Sequence, residues 1–195
     1  LAVAKGDYIY YKTDTRNTSL GAYVCYNSIA KKLDLDPIPI EKWDIEHISN
    51  KFRGNLYSRT MLEPSRFDTI DIYTYQNGAK VEKIETIYQG KKAETKDIFV
   101  RNNIKKEDKH SVFFGGNQGV TTITTNQKNG KNLLIIKDEY ANATIQFFVN
   151  HYEKITLIDT NLANADDIKA INIAEYQEAM FLFGYDNFIE KSIIS

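Results

Sequence analysis

Two short apolar runs, Asn132–Lys137 and Lys154–Asp159, flank a stretch whose apolar residues recur at helical spacing, and this restricts the fold more than anything else in the chain. Runs this short, bounded by polar and turn-forming residues, suit buried strands better than helices. Between them Glu139–Tyr152 is predicted as a helix, with Ile145, Phe148, Val149 and Tyr152 on its apolar face. A strand–helix–strand unit implies parallel strands joined by a right-handed crossover. A short helix around Ile173–Gln177 and a third strand over Ala179–Phe183 extend the pattern. The chain is therefore read as α/β, with a mostly parallel sheet flanked by helices.

Upstream the pattern changes. Asp7–Lys12 alternates around Tyr8, Ile9 and Tyr10 and reads as a short strand ending at Asp14. Thr18 or Ser19 is a plausible N-cap for a helix to about Leu33, with Tyr26, Ile29, Ala30 and Leu33 as its buried stripe. Asp34–Pro39 stops it, because proline cannot continue a helix. From Trp43 to Ile87 the residues alternate as in strands: Trp43, Ile45 and His47, then Phe52–Tyr57, Thr69–Tyr75 and Lys80–Ile87. Asn77-Gly78 between the last two runs predicts a hairpin, so residues 43–88 are expected to form a β-rich insertion beside the main sheet. Lys91–Lys109 reads as a solvated loop. Val120–Thr125 reads as a Thr-rich strand, preceded by the turn Gly115-Gly116-Asn117-Gln118-Gly119 and followed by one at Asn129-Gly130. Nothing repeats at a fixed period.

Composition narrows the partners. A formal net charge of -1 gives no electrostatic case for nucleic acid or an anionic membrane. No run of about 18 apolar residues suggests a membrane span. Three Pro are too few for a proline-rich linker, and Tyr-rich strands account for thirteen Tyr and ten Phe. A single cysteine, Cys25, cannot form an intramolecular disulfide and reads as a buried, inert thiol. The three His (His47, His110 and His151) lack metal-ligand spacing, so neither a metal nor a cofactor is expected.

Two segments carry more specific information: Tyr10-Tyr11-Lys12-Thr13-Asp14-Thr15-Arg16-Asn17-Thr18-Ser19-Leu20-Gly21-Ala22-Tyr23 and Lys137-Asp138-Glu139-Tyr140-Ala141-Asn142. They resemble the two signature blocks of the DHHW proteins, a bacterial cell-envelope family related to SGNH hydrolases and to the O-acetyltransferases of alginate and cellulose assembly. Phe52-Arg53-Gly54-Asn55-Leu56-Tyr57-Ser58-Arg59 and Gly115-Gly116-Asn117 resemble two further family segments. The resemblance implies a single SGNH-like, flavodoxin-like domain over 1–195, as the C-terminal part of a longer extracytoplasmic protein. It also implies a Ser-His-Asp site. Asp14 keeps the acid, but Arg16 stands where the His belongs, Asn17 where a Trp belongs and Glu139 where the Ser belongs.

In such a site the His takes the Ser proton and the Asp fixes its tautomer. A guanidinium stays protonated below about pH 12 and cannot shuttle protons. Loss of either Ser or His typically costs on the order of a million-fold in turnover. The expected product is a domain without the family's ester chemistry, which binds or scaffolds, for instance at a cell-envelope polysaccharide or acylated glycan. An ion pair between Arg16 and Glu139, with Asp14 as second acceptor, is the expected arrangement. Drift at two surface positions is the plainer one, and Glu139 also suits a helix N-terminus. Gly116 and Asn117 are candidate oxyanion or ligand contacts, although Gly-rich turns are common after apolar strands. The alternative is an active esterase or O-acetyltransferase with a non-standard nucleophile, Ser19 or Ser111.

Overall fold

The structure, a computed structural model, describes residues 6–62, 66–185 and 187 of the 195. The backbone divides into two compact units. The first takes the chain up to Gly78, Phe99–Gly115 and Ala143–Phe147; the second takes Ala79–Ile98, Gly116–Asn142 and the chain from Phe148 onward.

In the first unit, helix α1 spans Ser19–Lys32. Thr18 caps it, its hydroxyl accepting from the Gly21 amide at 3.2 Å, and Lys31 and Lys32 in the last turn suit the helix dipole. Leu33 ends it, and Asp34 follows with φ 50°. The stripe is centred earlier than expected: Ala22, Tyr23, Tyr26 and Ala30 are buried, whereas Ile29 and Leu33 are half-buried. Strands β1 (Asp44–Phe52) and β2 (Asp68–Thr74) form a two-stranded antiparallel sheet, from Asp44 opposite Thr74 to Phe52 opposite Asp68. Phe147 anchors an aromatic cluster, stacked on Tyr26 at 5.2 Å and edge-on to Trp43 at 4.9 Å, to Tyr23 and to Tyr73. Tyr11, Phe52, His110 and Phe113 form a second. Much of the Tyr and Phe content is thus core.

Two expectations fail here. Asp7–Lys12 forms no strand, only a single bridge between Tyr10 and Asn17. At its end Asp68 takes the backbone, accepting from the Lys12 and Thr13 amides at 2.9 and 2.8 Å and from the Thr13 hydroxyl at 2.6 Å. Phe52–Tyr57 leaves the sheet after Phe52, and α2 (Asn55–Thr60) follows. The Leu56 and Tyr57 amides donate to the Thr13 carbonyl, so the first turn of α2 is satisfied by a segment remote in sequence.

The second unit is a six-stranded sheet in the order β4-β3-β5-β7-β6-β8, with β3 Val81–Tyr88, β4 Lys91–Thr95, β5 Val120–Thr125, β6 Asn132–Lys137, β7 Lys154–Asp159 and β8 Glu178–Leu182. The sheet is mixed rather than mostly parallel. Only β6 with β7 and β6 with β8 run parallel, whereas β3 with β4, β3 with β5 and β5 with β7 are antiparallel. The predicted hairpin does not form: Asn77-Gly78 turns, but β2 and β3 lie in different sheets. Asn126 diverts β3, its side chain accepting from the Lys80 amide at 2.7 Å while its own amide donates to the Lys80 carbonyl, which aligns β3 with β5. The expected solvated stretch 91–109 contains an exposed edge strand, β4.

Helix α3 (Asn142–Phe148) is shorter than the predicted Glu139–Tyr152. Its beginning is a 3₁₀ turn, Glu139–Ala141, capped by Asp138. After its end the His151 amide bonds to the Phe148 carbonyl in a tighter turn, and the carbonyls of Asn150, His151 and Tyr152 accept from Gln127, Asn129 and Thr125. Between β7 and β8 lie α4 (Ala165–Lys169), unforeseen, and a 3₁₀ turn over Ile173–Glu175. Among the described residues no helix is long and apolar enough to cross a membrane.

Candidate functional site

The first unit gathers its charge around Asp14. The chain turns at 14–16, and the Asp14 side chain bonds two residues forward to the Arg16 amide at 2.9 Å, as Asp commonly does in turns. The Arg16 side chain then closes back on the same carboxylate, Nε to Oδ1 and Nη2 to Oδ2, both at 2.7 Å. This two-point fork is the geometry that guanidinium and carboxylate planes favour. The Asn55 amide adds a fourth bond to Oδ2 at 2.9 Å. A β-carbon on Gly54 would lie 2.2 Å from the Asp14 carboxylate, so α2 can bring its first amide this close only with glycine before it.

Both partners are buried, Asp14 2% and Arg16 5% exposed. Burial alone would raise the Asp14 pKa, but the bonds and charge of Arg16 and the two amides outweigh it and hold the carboxyl below its usual range. Burial disfavours the Arg16 charge, and Asp14 more than restores it. Asp108 is a second carboxylate on Arg16, with Oδ1 3.0 Å from Nη2. It also caps the 3₁₀ turn Lys109–Val112 by accepting from the His110 amide. The His110 ring is 1% exposed, edge-on to Tyr11 and tilted against Phe113, and among the described residues its Nε2 has no hydrogen-bond partner. Burial, then the Arg16 charge, drives its pKa well below the ordinary histidine value.

In the second unit the polar groups collect where β6 and β7 end. Lys137 and Asp159 are register partners, both buried, and their side chains pair at 3.2 Å. Burial lowers the Lys137 pKa against the opposing pull of Asp159. Asp138 accepts from the Tyr140 amide, the Gly184 amide at 2.7 Å and the Asn187 side chain at 2.8 Å. Glu139 follows in the 3₁₀ turn and is half-buried. Gly115 and Gly116 take φ 77° and 101°, which bends the chain into the turn before β5, and the Asn117 side-chain oxygen accepts from Asn142 at 2.7 Å.

Of the residues singled out from sequence, Asp14 and Arg16 meet in the first unit. Glu139, Gly116 and Asn117 belong to the second, where Asn117 is tied to the first residue of α3. The two proposed serines have backbone partners, Ser19 donating to the Asp71 carbonyl and Ser111 to that of Asp108. His47 is exposed and pairs with Asp71. Among the described residues no cluster of three His, Cys, Asp or Glu side chains suits a metal ion. Asp108 and His110 went unrecognised inside a lysine-rich run. An Asp two residues before a His, next to apolar Val112-Phe113-Phe114, is the signal that could have marked a capped turn entering a core.

The sequence model of the DHHW proteins matches residues 1–158. No curated relative matches the chain. Among solved structures, a DHHW family protein from Eubacterium siraeum superposes with a TM-score of 0.76 at 24% identity, covering 93% of this chain and 60% of that one. PatB1 from Bacillus cereus, solved with a sulfonyl adduct, gives 0.75 at 16% identity, covering 95% of this chain and 66% of that one. A second PatB1 structure gives 0.73 at 18% identity, covering 92% and 63%. At these identities the likeness is one of fold, and the chain spans less than two thirds of each of these proteins.

Proposed function

This chain belongs to the DHHW family, and we propose that it is a catalytically inactive, SGNH-like member with a binding or scaffolding role at the bacterial cell envelope. The observation that carries this reading is the engagement of Asp14. Its carboxylate already receives two bonds from the Arg16 guanidinium and two from backbone amides. An acid so occupied has no lone pair to spare for orienting an imidazole, and position 16 supplies no group that exchanges protons near neutrality. Glu139, in the place of the family's Ser, is an anion at the start of a helical segment and is no attacking hydroxyl. Gly116 and Asn117 remain the ligand contacts in this reading, and an acylated cell-envelope glycan is the ligand class.

A chromogenic acetyl-ester assay on the purified chain tests it. Wild-type turnover is expected at background, together with measurable binding of acylated glycan by calorimetry. Wild-type hydrolysis that Asp14→Ala abolishes would overturn the reading.

A further inference from the structure

Residues 99–115 leave the second unit's stretch of chain and return to it, yet they pack within the first. They are two 3₁₀ turns, Arg101–Lys105 and Lys109–Val112, with a bridge between Phe99 and Phe113 closing the base. Among the described residues, Val112 and Phe113 of this segment are fully buried, and three further attachments involve its charged or titratable side chains. Arg101 forks onto Glu46 of β1 at 2.6 and 2.8 Å, with both side chains about half exposed. Asp108 pairs with Arg16. The His110 ring fills a niche against Tyr11.

The third attachment is conditional on charge. The Arg16 cation and the more weakly felt Asp14 anion act on the ring from the 14–16 turn, and that anion is already spent on Arg16. Tyr11, from the same stretch, has a buried hydroxyl that itself lacks a hydrogen-bond partner. On the segment's own side, Asp108 is occupied by Arg16 and by the His110 backbone, and Lys109 donates to the Ile104 carbonyl at 2.6 Å. On the β2 side, Asp68 is committed to Lys12 and Thr13. A proton added at Nε2 therefore creates a buried cation beside a like charge, with the nearby carboxylates already committed elsewhere.

We propose that residues 99–115 are an acid-released strap: protonation of His110 expels the ring from its niche, the segment swings away, and Arg16 is uncovered. The Arg16–Asp108 pair sets how tightly the strap is held and His110 sets when it lets go. This device is independent of whether the domain retains catalysis.

Amide hydrogen exchange on the full chain at pH 7.5 and 5.5, corrected for intrinsic exchange rates, tests it. With a free histidine pKa of about 6.5, the open population of 99–115 is expected to rise about tenfold between those values. At both pH values 99–115 is expected to open at a lower free energy than β1, β2 and the six-stranded sheet. His110→Phe fills the niche and is expected to abolish the rise, and His110→Asn serves if the larger ring is not accommodated. Asp108→Asn is expected to raise opening at both pH values while preserving the ratio. Wild-type exchange over 99–115 that stays flat overturns the proposal, as does the same rise in either His110 variant, or exchange of 99–115 at the same opening free energy as the most protected amides, which would mark global unfolding rather than a strap.

Discussion

Asp14 shows how one side chain can fix a neighbourhood. Removing it leaves the Arg16 guanidinium buried with only the half-exposed Asp108 as counter-ion. Breaking a buried pair from one side typically costs about 3–5 kcal/mol. Asp14→Ala is therefore expected to lower the unfolding free energy by about that much in urea titrations, whereas Asp108→Ala, whose pair is partly solvated, costs about 1 kcal/mol. Equal losses would mean that burial does not separate the two pairs. Asp14 stands out in the sequence because it sits in a distinctive phrase. Asp108 does not, because it reaches Arg16 across 92 positions of sequence, a separation that no local pattern encodes.

Among the elements, those whose formation is local or apolar were readable, and those completed by remote side chains were not. The bounds of β5, β6 and β7 follow from Thr-rich or aliphatic runs, and α1 from its cap and stripe. By contrast α2 depends on Thr13 and Asp14 to satisfy its first amides. The sheet's parallel half was readable from the strand–helix–strand unit. Its antiparallel half was not, because Asn126 rather than the Asn-Gly turn decides where β3 pairs. Thr18 allows a test at this level. Its hydroxyl both caps α1 and donates to the Tyr8 carbonyl at 2.7 Å, so Thr18→Ala is expected to cost about 1 kcal/mol by thermal or urea unfolding, while Thr18→Ser retains most of the stability.

For the molecule as a whole, these groups predict the shape of its acid response. His110 is neutral when folded and takes up a proton more readily once unfolded, near pH 6.5. Below that value the unfolded chain binds more protons, so stability falls as pH falls. Asp14 has a depressed folded pKa, and its contribution is complete above about pH 4 and lost as pH drops through the folded value. Urea midpoints measured against pH are therefore expected to decline gently from about pH 6.5 and steeply below about pH 4. His110→Phe is expected to remove the first decline only. A single acid transition unaffected by that variant would contradict the assignment. The way Asp14 is held has a further consequence. Two of its four bonds come from main-chain amides, of Arg16 and Asn55, which no exchange of side chain at position 16 other than to proline abolishes. The mould outlasts its contents: the backbone that presents this carboxylate stays when its side-chain partner is exchanged.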